Sequence, residues 1–173
     1  MLSVLKYTDE EDRSYGVAGM TISLLACDAE NMLSCVSLEP EEDSVEMSEE
    51  FFFNGNPRQS ARIAWNELLR QLRVAAAMGL GNVICRARTR GRRPAEDMLR
   101  AIHDFVAEQG QAECSLEADE IEKLYRHDLG YYDRLFSHPG VQDVAREFAT
   151  VLRMRRRMSA GEVFEQLSRL NHL

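Results

Sequence analysis

The chain has 173 residues, a mass of 19.8 kDa and a formal net charge of −8, with 45% hydrophobic and 29% charged residues. Those proportions exclude a disordered chain, and a chain of this length buries enough apolar surface to fold without disulfides or a structural metal. No run reaches the roughly 18 unbroken apolar residues of a membrane span, and Lys6 with the acids after it interrupts any secretory core, so the expected setting is the cytoplasm.

In residues 17–27, Ala18, Met20, Ile22, Leu24 and Ala26 alternate with Thr21 and Ser23, which predicts a half-buried strand. Asp28, Glu30 and Asn31 make a turn into a second strand over 32–38, giving a hairpin. After the acidic loop 39–43, Val45, Met47, Phe51 and Phe53 share one face of a third strand. Asn54, Gly55, Asn56 and Pro57 break the extended pattern, and Pro57 suits the first turn of a helix. That helix runs to about Met78 with Ile63, Trp65, Leu68, Leu69 and Leu72 on its apolar stripe. Gly79 and Gly81 end it before a short fourth strand over 83–88.

Pro94 opens a second long helix that Gly110 closes. The rest reads as helical: 115–128 ending at Gly130, a short aromatic segment over 131–136, then 141–158 and 163–170. The last of these follows a capping box formed by Ser159 and Glu162. The predicted fold class is α+β: a three-stranded antiparallel meander plus a fourth strand, covered by two long helices and followed by an α-helical C-terminal part. Residues 1–110 form the sheet-and-helix domain and residues 111–173 a helical part packed on it. Phe51, Phe53, Trp65 and Phe105 are expected to meet between the layers.

Residues 1–53 carry two bases and thirteen acids, whereas the remainder carries nineteen bases and sixteen acids. An acidic front half repels nucleic acid and anionic lipid, so neither nucleic acid nor a membrane is an expected partner. Lys6 and Lys123 are the only lysines. The other bases are arginines, whose planar fork suits phosphate and carboxylate. Cys27, Cys35, Cys85 and Cys114 form no C-x-x-C pair, and His103, His127, His138 and His172 supply no H-x3-H spacing. No metal and no cofactor is therefore expected, and the cysteines should remain thiols.

The sharpest local feature is the run over residues 86–93, with Arg86, Arg88, Arg90, Arg92 and Arg93 and no acid. If the chain is extended there, Val83, Cys85 and Ala87 face the core and Arg86, Arg88 and Arg90 share the opposite face. The run also leads into a helix N-terminus at Pro94, where free backbone donors add positive potential. Such a face would bind phosphate or an acidic protein surface. The competing reading is that these arginines pair with the thirteen N-terminal acids. A second basic cluster, Arg153, Arg155, Arg156 and Arg157, ends a helix, where cations are favoured by the dipole whatever the function. A third group holds Tyr125, His127, Asp128, Tyr131, Tyr132, Asp133 and His138, in which histidine beside carboxylate suits acid–base chemistry.

The order of three strands, helix, strand, helix is similar to the ribonuclease H-like fold, and QLRVAAAMGLGNVICRARTRG looks like that family's first helix leading into its fourth strand. That nuclease chemistry needs clustered carboxylates. Asp9 precedes the first strand, Glu67 lies mid-helix and arginines fill the fourth strand, so the resemblance implies a catalytically degenerate relative that binds nucleic acid weakly. The segment RTRGRRPAEDMLRAIHDFVAEQG resembles the acyl-CoA-binding loop and helix of N-acetyltransferases, and LYRHDLGYY their later helix and turn. Arg92, Arg93 and Pro94 stand where that family has small residues with free donors. Neither family is assigned. The reading that results is a non-enzymatic interaction or accessory domain, with a homodimer open to it, whose arginine face meets an acidic protein surface or phosphate. The alternative is an acyl-CoA- or phosphate-ligand enzyme using residues 86–93 with His127 or His138 as base.

Overall fold

The computed structural model describes residues 5–52 and 60–172. In chain order it contains α1 (Glu10–Ala26), β1 (Leu33–Ser37), β2 (Val45–Met47), α2 (Ala61–Arg88), α3 (Glu96–Cys114), α4 (Ala118–Ser137), α5 (Pro139–Arg155), β3 (Arg157–Ser159) and α6 (Ala160–Leu167). The architecture is α+β, mostly helical, with one small antiparallel sheet in the order β2-β1-β3. Among the described residues, no helix is long and apolar enough to cross a membrane.

Two predicted strands are helical. Residues 17–27 belong to α1 and its cap, and residues 83–88 are the last turns of α2. Asp9 caps α1, its carboxylate accepting the Asp12 amide at 2.7 Å, and Glu10, Glu11 and Asp12 sit in the first turn where the dipole favours acids. From Gly16 to Leu24 every residue of α1 is buried. A helix enclosed on all sides has no polar stripe, so the 3.6-residue period that marks a surface helix is missing. The supposed polar face is buried as well: Thr21 turns its hydroxyl onto the Val17 and Ala18 carbonyls, both at 3.0 Å.

The 28 residues of α2 extend about 42 Å. Its first turns are exposed, and from Val74 to Ala87 it is buried throughout. Gly79 and Gly81 do not end it. A Cβ at Gly81 would lie 2.0 Å from Ser23 Oγ and 2.5 Å from the Gly19 carbonyl oxygen, so Gly19 and Gly81 let α1 and α2 cross with their backbones in contact.

The sheet also departs from the expected meander. β1 pairs with β2 on one edge, and with β3, which comes 120 residues later in the chain, on the other. The third predicted strand stops at Met47 and gives way to a 3₁₀ turn over Glu49–Phe51, while Phe53 and the break at Asn54–Pro57 lie outside the described residues. The sheet packs against α6 in place of a cover of two long helices. The expected aromatic layer does not assemble either: Phe51 is buried, but Phe105 is half-buried and Trp65 is 40% exposed.

The helices after residue 95 show clear apolar stripes and form close to where these predict. α4 continues through Gly130, and the aromatic segment is its last two turns. The core is one cluster that joins Ile22 and Leu24 of α1 and Met78 and Ile84 of α2 to Phe136 of α4 and Phe148 of α5. Ser159 and Glu162 cap α6 reciprocally, with the Ser159 amide donating to Glu162 Oε2 at 2.9 Å. Ser159→Ala should lower stability by about 1 kcal/mol in urea denaturation; an unchanged midpoint would mean the cap contributes nothing.

Candidate functional site

The chain leaves α2 through a Schellman turn. Gly91, at φ 66°, sends its amide to the Arg88 carbonyl at 3.1 Å, and the Arg92 amide reaches the Ala87 carbonyl at 2.9 Å. Pro94 follows, as it does after many helix stops. Because residues 86–88 are helical, their side chains fan out at about 100° intervals instead of alternating across a strand. The expected row of guanidinium groups on one sheet face therefore does not exist.

Arg86 points inward and is 9% exposed. Its Nε donates to Asp12 Oδ1 at 2.9 Å and its Nη2 to the Lys6 carbonyl at 2.8 Å, with a further close contact between Nη2 and Asp12 Oδ2. Its guanidinium carbon lies 4.8 Å from the centre of the Tyr7 ring. Arg90 joins the same carboxylate, Nη1 to Asp12 Oδ1 at 2.6 Å, and lies 3.6 Å from Asp9 and 3.9 Å from Glu11. Burial alone would raise the Asp12 pKa. Hydrogen bonds from Arg86 and the Thr8 amide, with the charges of Arg86 and Arg90, outweigh that and hold the carboxyl below its usual range. Arg88 is taken up differently, its Nε donating to Asp133 Oδ1 on α4 at 3.0 Å.

The second basic cluster meets the same acidic front. Arg153 reaches Glu11 at 3.3 Å, Arg156 reaches Glu10 at 2.6 Å and Glu39 at 3.3 Å, and Arg157 reaches Glu42 at 2.9 Å and Glu46 at 3.5 Å. Glu11 is shared by Arg90 and Arg153. Arg86, Arg90, Arg153, Arg156 and Arg157 thus converge on the chain's own N-terminal acids, while Arg155 pairs with Glu162 at 3.0 Å.

Arg92 and Arg93 are the exceptions. Both are exposed and neither has a carboxylate partner among the described residues. With Arg88, Gly91, Ser137 and Gln142 they line a cavity of about 440 Å³ between the turn after α2 and the junction of α4 with α5. Among the described residues, no carboxylate lines it. The cavity is positive, donor-rich and large enough for a phosphate or a pair of carboxylates, and arginine can grip either bidentately. Sequence pattern does not single out Ser137 and Gln142. Both lie about 50 residues from the arginines and carry no signal of their own.

The histidines stand elsewhere. His127 Nδ1 is 3.0 Å from Asp128 Oδ1, and His138 lines a cavity of about 490 Å³ with Ile22, Leu25, Leu135 and Val141. Neither lines the arginine cavity itself, and His138 adjoins Ser137, which does. Among the described residues, no three His, Cys, Asp or Glu side chains gather to hold a metal ion. The order of elements expected for a ribonuclease H-like or acetyltransferase chain is not present, because residues 17–27 and 83–88 are helical and Asp9 is a helix cap. No protein-family model, curated protein or solved structure matches the chain.

Proposed function

We propose that this protein is a non-enzymatic recognition domain that captures an anionic group of a partner, a phosphate or the carboxylates of an acidic protein segment, at Arg92 and Arg93. One observation carries the reading. Arg86, Arg88, Arg90, Arg153, Arg156 and Arg157 are held by the chain's own acids, whereas Arg92 and Arg93 face a carboxylate-free cavity with their charge unspent. The turn at Gly91 fixes the backbone beneath them, so less freedom is lost on binding than from a mobile tail. The overall charge of −8 opposes approach of nucleic acid. The reading places the protein in the cytoplasm, where Cys27, Cys35, Cys85 and Cys114 stay as thiols.

The test is fluorescence anisotropy with two labelled peptides, one carrying a single phosphoserine and one rich in glutamate, at low salt. At least one should bind, with affinity falling as salt rises. Arg92→Glu combined with Arg93→Glu should weaken it by at least about tenfold, while the unfolding free energy moves by no more than about 0.5 kcal/mol. The reading is overturned if neither peptide binds, or if the double variant binds like the wild type.

A further inference from the structure

A second cavity, of about 420 Å³, opens between the end of α1, the middle of α2 and α4. Its wall includes Arg70, Arg73, His127, Asp128 and Tyr132. The Asp128 side chain is only 8% exposed, and its two neighbours both address the same oxygen: His127 Nδ1 lies 3.0 Å and Arg73 Nη2 3.7 Å from Oδ1. Oδ2 has no hydrogen-bond partner among the described residues, yet it is not sealed from solvent. The accessible part of this otherwise buried carboxylate is therefore an unfilled acceptor on the wall of the cavity. Solvent satisfies that acceptor in the free protein, and a donor from a bound molecule would take the place of the solvent there.

The rim carries the opposite charge. Arg73 is 56% exposed and its contact with Asp128 is longer than a hydrogen bond. Arg70 is exposed, lines the cavity and donates to the Asp28 carbonyl at 3.2 Å, which holds its side chain. Ala26, Leu69 and Val74 supply apolar wall. A largely buried acceptor, exposed cations and apolar wall on one cavity match a small molecule with an ammonium, a carboxylate and a hydrocarbon side chain. We infer that this cavity binds a free α-amino acid, its ammonium on Asp128 Oδ2 and its carboxylate on Arg73 and Arg70. A simple anion is disfavoured by Asp128, and a simple amine would leave the two arginines without a partner.

The inference does not depend on the arginine loop and is tested separately. L-Leucine, L-phenylalanine and L-glutamate are titrated into the full chain by calorimetry and thermal shift, beside isobutylamine and isovalerate, which each keep one of the two charges. At least one amino acid should bind and raise the melting temperature by about 5–11 °C at a concentration 100-fold above its Kd. The single-charge analogues should bind at least about tenfold more weakly. Arg73→Gln, an exposed change that leaves the fold intact, should weaken binding at least about tenfold, and Asp128→Asn should do the same. The inference fails if no amino acid binds at millimolar concentration, if either analogue matches the amino acid, or if Arg73→Gln binds as well as the wild type.

Discussion

Gly81→Ala should destabilise the protein by about 3 kcal/mol, the upper part of the range for overpacked cores, and lower its melting temperature by roughly 6–12 °C. The sign is the informative part. Alanine in place of glycine within a helix ordinarily gains up to about 1 kcal/mol. Here the added methyl would sit 2.0 Å from Ser23 Oγ and 2.5 Å from the Gly19 carbonyl oxygen. Backbone cannot step aside as a side-chain tip can, so α1 and α2 must separate along their shared crossing. Gly19→Ala, whose Cβ would meet the Gly81 carbonyl oxygen at 2.1 Å, should do the same. Gly161→Ala in α6 meets nothing within 4 Å and should be neutral or slightly stabilising. Urea denaturation of the three variants decides the matter, and a Gly81→Ala protein as stable as Gly161→Ala would refute the crossing.

Asp12→Ala should cost about 3–5 kcal/mol, because it leaves Arg86 charged, 9% exposed and without its carboxylate. Removing both charges together, as in Asp12→Leu with Arg86→Met, should cost less than Asp12→Ala alone, since an apolar pair of similar volume needs no partner. The pair also sets a pH dependence. The Asp12 carboxyl titrates lower in the folded chain than in the unfolded one. Its stabilisation is therefore complete above the ordinary carboxylate range, about pH 4, and drains away as pH falls toward the folded value. The acid limb of the stability curve should be shallower in Asp12→Asn; an identical limb would show that Asp12 is not held by Arg86 and Arg90.

The parts of the fold that are legible in the sequence are those with one wet face. α3 to α6 alternate buried and exposed positions at helical spacing, so their stripes and the Ser159–Glu162 cap can be read from residue order alone. The parts whose pattern misleads are buried all round. In α1, Ala18, Met20, Ile22 and Leu24 alternate by chance with Thr21 and Ser23, and the whole set is interior. In α2, Gly79 and Gly81 look like a stop signal, whereas the true one is Gly91 with Pro94. Recognising that Gly91-x-x-Pro94 ends a helix carries α2 through residues 83–88 and removes the fourth strand.

The candidate site is legible in composition but not in geometry. The run of arginines stands out in one dimension, and the competition for them does not. Arg86 and Asp12 are 74 residues apart, and Arg153 and Glu11 are 142 apart. The acidic front half and the arginine-rich remainder are complementary surfaces of one molecule, so the lopsided charge map describes internal pairing more than an external partner. What survives that pairing is small: two guanidinium groups raised by a glycine turn over Ser137 and Gln142. Asp128 and Arg73 are hidden for the same reason, being brought to one wall by the packing of α4 on α2.

If Arg92 and Arg93 form the anion site we propose, an anion should reach them while the other arginines of the two clusters stay held by the chain's own acids. The most direct measurement is a titration of inorganic phosphate into the ¹⁵N-labelled protein, read from the arginine Nε–Hε resonances. Those of Arg92 and Arg93 should shift progressively and saturate, while those of Arg86, Arg90, Arg153, Arg156 and Arg157 stay in place. Resonances of Arg92 and Arg93 that never move, or that move no more than those of the ion-paired arginines, would rule out an anion site there.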